Sequence, residues 1–260
     1  MTERLGLLIL SALAWVGEVA LFGLRAIYEM FLPPYEFKEV ARHVFEMGWR
    51  SVPLIALSGF AIGVVLSMHT RASLERFGAE AMIPAGLAIA LIRETGPLTA
   101  GLLISGRVGA GIGAELGAMK VTEQIDALEA VAVDSFKFLA VTRILACIIA
   151  MPLLTTIMDF CGIFGGFAAE ASISGMSPQL YFHRAFSAIE FSDFIPATLK
   201  TAVFGLIIGT VASYLGFNAT QGTEGVGRAS TRSVVLASIC IILINVVLVK
   251  FIFFMFPVRA

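Results

Sequence analysis

The stretch 51–68, SVPLIALSGFAIGVVLSM, carries no charged residue and is long enough to cross a hydrocarbon layer as a helix. It shows no strict alternation of apolar and polar residues, so it does not read as a half-buried strand. Trp49 and Arg50 lie just before it, residue types that suit a membrane surface. Stretches 81–104, 144–168, 194–216 and 234–256 have the same character. Across the chain 58% of residues are hydrophobic, 14% are charged and mean hydropathy is +0.91. A soluble domain carries nearer a quarter charged. Inside a bilayer the backbone must satisfy its own polar groups, which these stretches do as helices. The expected fold is therefore an all-α integral membrane protein with five transmembrane helices. It forms a single domain over 1–260, with an interfacial region at 1–50 and a five-helix bundle at 51–256.

The N-terminal segment begins like a signal peptide, with Arg4 before LGLLILSALAWV. Arg4, Ser11, Glu18 and Arg25 recur at seven-residue spacing, however, and Glu29 follows Arg25 at i+4. That pattern predicts a helix with one polar stripe and otherwise apolar faces, retained and lying in the interface plane. With the N-terminus in the cytoplasm, Arg25, Arg42, Arg50, Arg107 and Lys120 fall inside, and Arg71, Arg76 and Arg184 outside. The larger share of basic residues is then cytoplasmic, as orientation requires.

Cys147, Cys161 and Cys240 sit in apolar segments without paired spacing, and His43, His69 and His183 are scattered, so no metal site is expected. The polar groups that stand out lie within the spans. Arg93 and Glu94 interrupt the second span, and Pro97 removes the backbone donor that would reach the Arg93 carbonyl, which predicts a kink or an opened turn. Lys200 lies in the fourth span, Asp159 in the third and Asn245 in the fifth. Charges at such depth are expensive and face a partner or a cavity. Two readings stay open here: a structural ion pair of Glu94 with Lys200 or Arg93, and a polar patch for a substrate head group.

Gly101, Ser105, Gly109, Gly113 and Gly117 recur every four residues, a small-residue stripe that lets another helix approach closely. After it comes KVTEQIDALEAVAV, with Val121, Ile125, Leu128 and Ala132 on one helical face. Lys120, Glu123, Asp126 and Glu129 point elsewhere, and Thr122 is placed to cap the helix. This is a short amphipathic helix on the cytoplasmic side, either a solvated connector or a docking helix. Residues 217–232, FNATQGTEGVGRASTR, read as a glycine-rich loop. Gly222 and Gly227 have the spacing of a P-loop, but Arg228 and Ala229 replace the required Lys-Ser/Thr, so the chain has no expected ATP site. Gly109–Ala114 follows no strand and is not a dinucleotide fingerprint. HExxH and GxSxG are missing, which removes the usual supports for a hydrolase.

Two stretches together resemble one family. RETGPLTAGLLISGRVGAGIGAELGAMKVTEQIDALEAVAVD, residues 93–134, is similar to the core signature of MlaE-type permeases, and GTEGVGRASTRSVV to their C-terminal signature. The resemblance covers nearly the whole chain. It implies the membrane subunit of an MCE-linked ABC transporter in a bacterial inner membrane, not itself an enzyme. It implies a homodimer bound to a cytoplasmic ABC ATPase, which holds the ATP. It further implies a periplasmic MCE-domain protein and, in some systems, a small STAS-domain protein. The implied cargo is phospholipid moved between inner and outer membranes; no nucleic acid is involved. By the same resemblance Arg93, Glu94, Lys200 and Asn245 line a lipid cavity, and Val121, Glu123, Ile125, Asp126, Leu128 and Glu129 belong to a coupling helix seated on the ATPase. Some members carry an acidic residue where this chain has Asn245. The alternatives are an ion-coupled secondary transporter, for which no inverted repeat is visible, and a lipid-modifying enzyme, for which no catalytic set is visible.

Overall fold

A computed structural model describes residues 2–220 and 222–255. Among them there is no strand. We number the helices α1 (Thr2–Met30), α2 (Phe37–Leu74), α3 (Glu80–Val121), α4 (Gln124–Ala130), α5 (Phe136–Ser174), α6 (Pro178–Ser187), α7 (Phe191–Phe217) and α8 (Gly222–Met255). Five of these, α2, α3, α5, α7 and α8, are long and apolar enough to cross a membrane. The five expected spans are therefore present, the first four each inside a longer helix and the fifth, 234–256, within α8 up to Met255, with residue 256 outside the described residues. One expectation is corrected: the glycine-rich segment is not a loop through 232, because α8 begins at Gly222. Gly222 supplies the positive φ of 62° that turns the chain into α8. From there its residues continue as helix, since glycines spaced among Thr, Glu and Val do not forbid it.

Backbone contacts divide the chain into two compact units, and every spanning helix contributes residues to both. The first takes the chain through Val44, Ser105–Cys147 and Leu206–Ala237. Its centre is aromatic. The Phe22 ring of α1 meets Phe136 at 4.9 Å, Tyr214 at 5.7 Å and Phe217 at 6.1 Å, each edge-on, the geometry that ring quadrupoles favour. The Arg25 guanidinium lies 4.1 Å from the centre of the Phe136 ring and pairs with Glu29 at 2.7 Å. The Tyr214 hydroxyl donates to Glu18. Glu18, Arg25 and Glu29 thus reach protein partners, although Glu18 and Arg25 remain exposed, as do Leu10, Leu13, Leu21 and Leu24. Arg4 and Ser11, the start of that stripe, have side chains outside the described residues.

The second unit takes Phe45–Ile104, Ile148–Gly205 and the chain from Ser238. Here α2 and α5 touch backbone to backbone. A Cβ on Gly63 would strike the Gly162 carbonyl, one on Gly165 the Phe60 carbonyl, and one on Gly59 the Met158 carbonyl at 2.5 Å. Gly59 and Gly63 are a small-xxx-small pair on α2. Beside this contact Leu87, Leu91, Ile92, Ile163 and Tyr181 form a buried cluster, onto which Phe167 and Phe182 pack. We predict that Gly63→Val lowers the melting temperature of the purified protein by about 5 °C or more, from the usual cost of overpacking. Gly86→Ala, where an added methyl meets nothing within 4 Å, leaves it equal or slightly higher.

Candidate functional site

The helical ladder of α3 opens at Leu91–Thr95, where one π turn replaces the α-helical pattern. The Gly96 N–H donates to the Leu91 carbonyl, five residues back, and Pro97 follows with no N–H to offer. Turns of this kind occur often at functional sites because they turn side chains out of helical register. Here the redirected residues are Arg93 and Glu94.

Glu94 Oε1 is 3.1 Å from Lys200 Nζ on α7. The Asn245 side-chain amide on α8 donates to Glu94 Oε2 at 3.3 Å. Lys200 also donates to the Arg93 carbonyl at 2.6 Å. The π turn therefore serves Lys200 twice, once by a carboxylate and once by a backbone oxygen. Arg93 does not join the pair. Its guanidinium reaches back to Asp193 at the start of α7, with Nη2 2.6 Å and Nε 2.9 Å from the same oxygen. Asp193 had no place among the sequence candidates. Its signal was its position, immediately before the fourth span expected at 194–216.

Exposure divides these residues by task. The Glu94 side chain is 44% exposed and that of Arg93 34%, but that of Lys200 only 1%. A ligand would meet Arg93 and Glu94; Lys200 holds Glu94 from behind. Asn245 is buried and its side-chain oxygen has no hydrogen-bond partner among the described residues. Asp159 on α5 is buried beside the π turn, where a Cβ on Gly96 would run into its Oδ1.

A second charged cluster ties α2 to α5. Glu170 is fully buried and accepts from Arg71 and from Ser67, the latter at 2.9 Å. Arg71 also reaches Glu80 at 3.3 Å. The expected spans 51–68 and 81–104 left Arg71 and Glu80 between them, and the main partner of Arg71, Glu170, is about a hundred residues away. In the other unit Arg143, buried on α5, pairs with Glu115 on α3 at 2.6 Å and donates to the Leu139 carbonyl.

The small residues of α3 face two helices. Gly101 has Phe204 at 3.2 Å and Ile241 at 3.3 Å from its Cβ position. Gly109 faces Ile208, Gly113 faces Ala229 and Ser233, and Gly117 faces Ala219 and Ala229. Ser105 is buried.

The amphipathic helix after α3 is shorter than its pattern implied. Glu123 takes a left-handed conformation, φ 60°, and breaks the chain into α3 and α4. Thr122 does not cap α4; its hydroxyl donates back to the Ala118 carbonyl at 2.7 Å. The break rotates Val121 away from α4, and Ala132 has left the helix with φ 61°. The inward side reduces to Ile125, buried, and Leu128, half-buried. Asp126 is held by Lys120 at 2.8 Å and Glu129 by the Ser135 hydroxyl at 2.6 Å. Glu123, Asp126, Ala127, Glu129, Ala130 and Val131 remain exposed, a mixed acidic and apolar surface.

A helical bundle with five membrane-crossing elements and a mutually satisfied charge cluster within them defines a multi-pass membrane protein with a polar site inside its spans. A family model described as Permease MlaE matches residues 40–251. A probable ABC transporter permease protein of Rickettsia bellii is 37% identical over 238 residues, 92% of each chain. The intermembrane phospholipid transport system permease protein MlaE of Haemophilus influenzae is 31% identical over 218 residues, 84% of each chain. The chloroplastic protein TRIGALACTOSYLDIACYLGLYCEROL 1 of Arabidopsis thaliana is 27% identical over 244 residues, 94% of this chain and 70% of its own. The chain belongs to the MlaE permease family, and is the membrane subunit of a transporter.

We predict that Glu170→Ala costs about 3–5 kcal/mol of stability, because it leaves Arg71 buried without its main partner. Glu170→Met combined with Arg71→Met restores most of that loss in the same melting measurement.

Proposed function

We propose that this chain is the permease of an ATP-driven phospholipid transporter of the bacterial inner membrane, with its N-terminus in the cytoplasm. Two copies form the membrane part, a cytoplasmic ABC ATPase supplies the energy, and a periplasmic MCE-domain protein receives or delivers the lipid between inner and outer membranes. In some assemblies a STAS-domain protein sits on the ATPase. The chain binds no nucleotide of its own.

The observation that carries this reading is Glu94. An acidic side chain is held nearly half exposed within a span, anchored by a hidden lysine and an asparagine, with Arg93 beside it. Together they offer opposite charges to a zwitterionic or anionic head group, and the apolar residues of the spans suit its acyl chains. The surface of α4 supports the other half of the reading. Ile125 fixes the short helix to its own unit, and Val131 with the flanking carboxylates is left for a partner. The stripe Gly101, Ser105, Gly109, Gly113 and Gly117 lets α3 pack closely against its neighbours in each unit. The same element, α3, carries both the π turn and the joint to α4.

Glu94→Ala is expected to reduce lipid transfer in the reconstituted complex at least tenfold while the protein still inserts and assembles. Wild-type transfer by Glu94→Ala removes this residue from the lipid site. Replacing Glu123, Asp126 and Glu129 together by Lys is expected to abolish co-purification of the ATPase from the native membrane without changing insertion. Undiminished recovery of the ATPase contradicts the coupling role of α4.

A further inference from the structure

Asp159 is 4% exposed, and its Oδ1 has no hydrogen-bond partner among the described residues. A buried carboxylate left alone at membrane depth is among the costliest groups a chain can carry. It persists where a compensating charge is at hand. Gly96 makes the room for it: any larger residue there would displace the Asp159 oxygen from the side of the π turn. Among the described residues, Lys200 is the cation that acts on it electrostatically, and Lys200 feels both Glu94 and Asp159. The Lys200 ammonium has three N–H donors. One serves Glu94 and one the Arg93 carbonyl, which leaves a third.

We infer that Asp159 is the second counter-charge of Lys200, a positioning residue that holds the buried ammonium whenever Glu94 turns to a ligand. The assignment rests on the reading of Glu94 as the ligand-facing group. The two carboxylates differ in the way this exchange requires. Glu94 is partly solvent-accessible and can leave Lys200 without stranding itself; Asp159 is enclosed and cannot leave. With Asp159 in place, releasing Glu94 transfers the ammonium from one carboxylate to another instead of baring it. Without Asp159, Glu94 is locked on Lys200. Asn245, neutral and bonded to Glu94, cannot fill this role. The negative charge that stabilises Lys200 from behind comes from the third span, not the fifth.

The test is a double-mutant cycle on the full-length chain, purified with the subunits it retains. Wild type, Glu94→Gln, Asp159→Asn and the double variant are compared by thermal melting and by phospholipid bound per chain. Each single change leaves Lys200 one carboxylate and lowers the melting temperature by a few degrees; the double change leaves none and lowers it by roughly 5–10 °C beyond the sum. Additive losses overturn the assignment, whatever the lipid content. Should the double variant not fold, Lys200→Met serves instead. Asp159→Asn then lowers the melting temperature of wild type but changes that of Lys200→Met little, because no ammonium is left for the side chain to hold; an equal loss in both backgrounds overturns the assignment. Lipid content tests the reading of Glu94 separately. In Asp159→Asn it falls at least threefold if Glu94 must be released to hold a head group. Coupled stabilities with unchanged lipid content support the counter-charge and overturn Glu94 as the ligand-facing residue.

Discussion

The structure around the π turn of α3 depends on one charge, the ammonium of Lys200 inside an apolar bundle. A lysine at that depth without compensation would cost more than any single packing contact returns. The chain meets this by opening α3 at Leu91–Thr95, which frees the Arg93 carbonyl and brings Glu94 onto the same nitrogen. Pro97 and Gly96 make the opening possible, one by lacking a donor and the other by lacking a side chain. Four helices are committed by this arrangement: α3 by its altered turn, α7 by Lys200 and Asp193, α8 by Asn245, and α5 by Asp159 beside Gly96. The site is therefore part of what determines the packing of its unit.

Close helix contact is the second condition. Without a hydrophobic driving force between helices in lipid, association relies on backbone proximity and buried polar contacts. Gly59 and Gly63 against Gly162 and Gly165 provide the first for α2 and α5, and Ser67 and Arg71 on Glu170 provide the second for the same pair. In the other unit, glycines of α3 against α7 and α8, and Arg143 on Glu115, repeat the combination. Both units thus pair a glycine contact with an ion pair that fixes its position.

The sequence displayed its spans openly, because long charge-poor runs have few other uses. The π turn was legible for a local reason, a proline four residues after an intramembrane arginine. Long-range pairing was legible only for Glu94 with Lys200, which was offered as one of two possible partners; elsewhere it was not. Arg93 finds Asp193 and Arg71 finds Glu170 about a hundred residues away, and nothing in either segment names the other. The end of α3 was misread because Val121, Ile125, Leu128 and Ala132 keep helical spacing, while a single left-handed residue, Glu123, breaks the helix they imply. The segment from Gly222 was misread for the converse reason. Its glycines suggested a loop, but its first glycine only turns the chain and the rest are carried within α8. The families of charges and glycines could be listed from the sequence; which of them meet is settled by the fold.

Native mass spectrometry of the tagged chain, gently extracted from its own membrane, tests the central claim most directly. The account predicts two copies of the chain bound to a cytoplasmic ATPase, with phospholipid released on activation. A chain that emerges alone and lipid-free, while the ATPase is present in the same membrane, would contradict it.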